Sequence, residues 1–133
     1  MDQDYPNVLL RVKAIVTDYF VMLVFMFSVA FIFSHFEQAS ENIRMGAFLF
    51  IFVFYDPIFT SFFGGTIGHK LNGLAVKRVA SPEKNVNIIL ATVRFLVKSS
   101  LGVISLLVIS ANDQRRAIHD IISGSVVIFD INK

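Results

Sequence analysis

The chain has no cysteine and no tryptophan, and only three prolines among its 133 residues. Without cysteine there can be no disulfide, no thiolate metal site and no cysteine nucleophile. Without tryptophan, an interfacial aromatic belt rests on Tyr5, Tyr19 and Tyr55. Charge is scarce too. Asp, Glu, Lys and Arg make up 17% of the residues, against about 25% in soluble domains. The net charge of +2 is small, and the basic residues lack the aromatic interleaving of a nucleic-acid surface, so no nucleic-acid partner is expected. A basic leader is also missing. The opening Met1-Asp2-Gln3-Asp4 is acidic and no small-residue cleavage pattern follows the first apolar run, so that run is expected to stay in the mature protein.

Apolar residues fill the space these absences leave, at 55% of the chain with 15 phenylalanines. A helix crosses a bilayer with about 20 apolar residues, and three stretches approach that length, at 12–33, 45–63 and 86–110. The expected fold is therefore mostly α. It is a single-domain integral membrane helical bundle with about three hydrophobic segments. The lipid bilayer is its expected surrounding. Two short strand-like stretches, 74–79 and 124–129, are expected to form a small cytoplasmic β-like cap. Lys and Arg bias sets orientation. Arg11 and Lys13 precede the first segment, and Lys70, Lys77, Arg78 and Lys84 follow the second, whereas the first loop carries only Arg44. The expected location is a bacterial cytoplasmic membrane, multi-pass, with the N-terminus in the cytoplasm.

The third segment is the weakest, because Arg94 and Lys98 lie within it four residues apart, on one helix face. A third full crossing would also place Arg115 and Arg116 outside, against the positive-inside tendency. A break near 99–102 and a short insertion would return the tail to the cytoplasm. Strand 125–129 could then pair with 74–79, and Asp120 could approach Arg11. Three plain crossings are the alternative.

Asp18 is the most informative residue. A charge at that depth costs roughly 2.5–3.5 kcal/mol on insertion scales and usually faces a partner or water. Arg11 is on the same helical stripe but about 10 Å away along the axis, so Asp18 needs a partner from another segment. Arg94 fits by type and depth. A proton or cation carrier and a structural ion pair would use these residues alike. Asp56, beside Pro57 in the second segment, either offers oxygen to a small cation or bonds to Thr60 one turn on. Pro57 should kink its helix.

Gly64-Gly65-Thr66-Ile67-Gly68-His69-Lys70 fails the phosphate-loop pattern, since Leu71 follows the lysine; a tight turn is expected. His35, His69 and His119 lack helical zinc spacing, and no Ser-His-Asp set is visible. Neither an enzyme, nor a metal site, nor a cofactor is expected.

Arg11-Val12-Lys13-Ala14-Ile15-Val16-Thr17-Asp18, the segment from Gly65 to Val76, Arg94, the run from Arg115 to Asp120, and Gly124-Ser125-Val126-Val127 together resemble the RDD family of small integral membrane proteins, named for one arginine and two aspartates. The resemblance covers nearly the whole chain and makes Arg11, Asp18 and Asp120 the name-giving trio. Ser125 stands for the usual threonine, and His69 occupies a basic position of the glycine turn. The resemblance implies a membrane protein with transport as its expected activity, monovalent cation/proton antiport having been proposed for some relatives. The leading expectation is ion or small-solute transport with Asp18, Asp56 and Arg94 in the ion or proton pathway, in a homo-oligomer because so short a chain encloses little. The other is a non-transport accessory or scaffold protein whose Arg/Asp pairs are structural.

Overall fold

The computed structural model describes residues 4–131; Asp2, part of the acidic opening, lies outside them. Helix α1 spans Val8–Ser34 and starts where the Asn7 side chain accepts the Leu10 amide at 3.0 Å. Such a cap satisfies a donor that the first helical turn leaves unpaired. Helix α2 spans Glu41–Phe63, is capped by Ser40 and ends on Gly64 in the left-handed region. At 1.5 Å per residue these helices run about 40 and 35 Å, enough for a hydrocarbon core of about 30 Å. Each begins four residues before its expected span. Pro57 lies inside α2, which continues as helix past it.

A short helix, α3 (Ile67–Leu71), follows with Thr66 as its cap, and leads into strand β1 (Leu74–Arg78). Helix α4 covers Ile88–Leu101, followed by 3-10 turns at Gly102–Leu106 and Ile109–Ala111. Helix α5 (Ile118–Ile122) and strand β2 (Ser125–Phe129) close the described chain. The strands pair antiparallel, with Val76 opposite Val127 and Arg78 opposite Ser125, as the two apolar stretches led us to expect.

Three helical segments are long and apolar enough to cross a membrane by length and composition, the third being Ile88–Leu106. Packing folds this third segment back. Helix α4 alone reaches only about 21 Å. Gly102, at φ 54 and ψ −133, turns the chain, in a conformation that a side chain would strain. Leu106 and Ile109 then pack with Ala117 and with Val8 and Ile15 in the first turns of α1. The segment 86–110 thus folds back on itself, and the tail shares one end of the molecule with α3 and β1.

The core sits at that end. Ala14, Leu74, Val76, Val86, Ala91 and Val127 form one buried cluster. Along the rest of α1 and α2 the large side chains face outward, among them Phe20, Phe27, Phe31, Leu49 and Phe50. Apolar side chains all round a helix suit lipid.

Candidate functional site: a buried polar seam

Charged side chains from α1, α2, α4 and α5 meet in the interior beneath the two-stranded cap. Arg11 is ion-paired to Asp120. Arg94 Nε reaches Asp120 Oδ1 at 3.0 Å, and its Nη1 reaches Asp56 Oδ1 at 3.4 Å. Lys98 Nζ lies 2.6 Å from Asp56 Oδ2. Charges therefore alternate through Arg11, Asp120, Arg94, Asp56 and Lys98. Arg11, Asp56, Arg94 and Asp120 are each 5% exposed or less. Buried charges persist only when paired and hydrogen-bonded, and this seam supplies both. The four-residue spacing of Arg94 and Lys98 on α4 puts both cations on Asp56.

Asp18 is next to the seam without being a link in it. Its Oδ1 accepts from the Tyr55 hydroxyl at 2.8 Å and the Gly68 amide at 2.8 Å, and its Oδ2 accepts from the Thr66 hydroxyl at 2.6 Å. The expected Asp18–Arg94 pair is thus replaced by neutral donors. Asp120 and Asp56 take up Arg94, while the turn before α3 brings hydroxyl and amide groups onto Asp18. Gly68 makes this approach possible. A Cβ there would lie 2.2 Å from the Ala14 carbonyl oxygen and 2.6 Å from the Asp18 carboxyl.

Asp56 faces protein, accepting from the Thr60 hydroxyl at 3.1 Å as well as from Lys98 and Arg94. A cavity of about 80 Å³ separates α1, α2 and α4, with Asp18, Tyr55, Asp56, Phe95 and Lys98 among its walls. One water needs about 10–15 Å³ of such space, so several fit. A smaller cavity of about 10 Å³ lies nearer the cap, lined by Arg11, His69, Arg94, Lys98, Leu106 and His119. Ile15 and Lys98 border both.

The sequence did not foretell two histidine contacts. His69 Nδ1 lies 2.6 Å from Thr66 Oγ1 and 4.0 Å from Asp18 Oδ2. His119 Nδ1 lies 2.6 Å from Ser105 Oγ, and its Nε2 is 3.5 Å from Asp120 Oδ1. A serine, a histidine and an aspartate do meet here, but Ser105 is fully buried and also accepts the His119 amide at 3.1 Å. Burial, together with the Arg94 and Lys98 charges, holds His69 well below its ordinary range. Burial lowers His119 to about 3, with Arg94, Lys98 and Arg11 adding to the effect against Asp120. Burial opposes the ionised form of Asp120, yet His119, Arg94 and Arg11 hold it well below the usual carboxylate range. Both rings are neutral at neutral pH, so they are hydrogen-bonding groups able to take a proton only transiently.

Among the described residues no group of three or more His, Cys, Asp and Glu is placed to hold a metal. The family model described as RDD family matches residues 5–124. No curated protein and no solved structure matches the chain.

Proposed function

The chain belongs to the RDD family, and on that premise we propose that this multi-pass membrane protein moves a monovalent cation or a proton through its polar seam. The supporting observation is the cavity flanked by two carboxylates, Asp18 and Asp56, with the Lys98 ammonium beside it. An ammonium 2.6 Å from a carboxylate occupies the place a small cation would take. A cation or proton arriving at Asp56 competes with Lys98, and Asp18 serves as the protonatable group across the cavity. Arg94 holds Asp56 and Asp120 in position. The seam lies within one chain, so the reading does not depend on a homo-oligomer.

The cap end is proposed to face the cytoplasm. Arg115 and Arg116 return to the end that carries Arg11, Lys77 and Arg78, which satisfies the positive-inside tendency.

The test is cation-driven proton flux in liposomes containing only this protein. Asp56→Asn and Lys98→Met should each remove exchange while both proteins still insert. Unchanged flux in both variants contradicts the proposal. A second reading, a non-transport accessory protein whose ion pairs fix helix packing, is favoured by the three protein donors on Asp18. It predicts no flux from the wild-type protein.

A further inference from the structure

His69 lines the small cavity and Asp18 the larger one, and the hydrogen bonds of His69 fix where its proton is. Thr66 Oγ1 touches three groups: it is 2.6 Å from Asp18 Oδ2, 2.6 Å from His69 Nδ1, and accepts the His69 amide at 3.3 Å. A hydroxyl has one proton to give. An ionised Asp18 can only accept, so the Thr66 proton points to Asp18. His69 Nδ1 must then donate to Thr66, and the neutral ring has its lone pair on Nε2. His69 lines the small cavity, as does Arg11, whose buried Nε–H has no hydrogen-bond partner. An unpaired donor and a ring with its lone pair on Nε2 thus belong to two residues that line a space of about 10 Å³, the least that one water needs.

We propose that this cavity binds one water between Arg11 Nε and His69, and that His69 relays protons from it through Thr66 to Asp18. The inference rests on the reading of Asp18 as the protonatable group and extends it to the route the proton takes. A hydronium in the small cavity gives its proton to Nε2 and is left as water. The Nδ1 proton passes to Thr66 Oγ1, and the hydroxyl's own proton passes to Asp18 Oδ2. One proton enters and one arrives. Asp18 then releases it into the larger cavity. With the ring turned away from Thr66, the water of the small cavity takes the Nε2 proton and returns one to Nδ1, and the ring and the hydroxyl then turn back to the start.

The charges around His69 suit transit over storage. Arg94 and Lys98 from α4 oppose a lasting imidazolium, while Asp56 and Asp120 from α2 and α5 favour it, with burial as the largest effect. Asp18, from α1, lies on the far side of Thr66. A lasting charge on the ring is therefore disfavoured.

The experiment uses the full chain in lipid nanodiscs. Nitrogen-15 histidine spectra of the wild-type protein should show a neutral His69 carrying its proton on Nδ1. The opposite tautomer overturns the relay without any variant. Infrared spectroscopy after an acid jump then follows protonation of the Asp18 carboxyl, identified by its loss in Asp18→Asn. His69→Asn keeps a donor to Thr66 but has no basic ring nitrogen. It should slow Asp18 protonation by about a hundredfold, while Thr66→Ser, which keeps the hydroxyl, stays near the wild-type rate. Equal rates in wild type and His69→Asn overturn the proposal. These readouts need no transport. Slow protonation in His69→Asn supports the relay even where vesicles show no flux, and equal rates refute it even where flux persists.

Discussion

Arg11 and Asp120, separated by 109 residues in the chain, form one buried ion pair. The pair joins the first turn of α1 to the start of α5. Arg11 also donates to the Arg115 carbonyl at 2.5 Å, so a single side chain holds the returning tail against the first helix.

Removing the carboxylate should be costly. Asp120 receives Arg11, Arg94 and the Ala117 amide. We expect Asp120→Asn to lose about 3–5 kcal/mol, the usual cost of leaving a buried charge unpaired. Denaturant unfolding in detergent measures it. A loss within a few tenths of a kcal/mol would mean that the seam does not hold the tail.

Gly68 and Gly46 make a matched pair. A Cβ at Gly68 meets the Ala14 backbone and the Asp18 carboxyl, whereas nothing lies within 4 Å of one at Gly46. Gly68→Ala should push α3 off α1 and sharply reduce the yield of folded protein. Gly46→Ala, in the interior of α2, should be neutral or stabilising by up to about 1 kcal/mol. Equal yields would refute the close approach.

The pattern of apolar runs made α1, α2 and both strands readable, because the periods of helix and strand are local. Pairing of the strands and the approach of Asp120 to Arg11 followed from asking where two tail arginines could lie. Asp18's partners were not readable. Tyr55, Thr66 and Gly68 come from two other elements, and hydroxyls and amides neutralise a carboxylate's bonding needs without any charge for a sequence to reveal. The spacing of Arg94 and Lys98 was visible as a cost of insertion; that both cations close on Asp56 depends on how α4 packs against α2. The meeting of Ser105 with His119 depends on the reversal at Gly102, which spacing alone does not encode.

Stability should depend on pH with a definite sign. An unfolded histidine titrates near 6.5, whereas folded His119 titrates at about 3. Between these values the unfolded chain binds the proton and the folded chain does not. Stability is therefore complete above pH about 6.5 and falls as the pH drops toward 3. His69 adds to the same trend. Melting temperatures from pH 7 to 4 should decline in the wild type and decline less in His119→Asn. A flat wild-type profile would contradict the burial of both rings.

The fold-back of the third segment can be read by labelling. Glu37, Glu83 and Asp113 are exposed. Cysteines placed singly at Glu83 and Asp113 should react with an impermeant reagent from the same side, and one at Glu37 from the opposite side. Reaction of Asp113→Cys together with Glu37→Cys would mean that the third segment crosses.

The transport reading is tested most directly by cation-driven proton flux in liposomes containing the purified protein alone, wild type beside Asp18→Asn. The account predicts flux in the wild type and its loss in Asp18→Asn, with both proteins inserted and Glu37→Gln unaffected. Equal flux in wild type and Asp18→Asn, or none in the wild type, would contradict it.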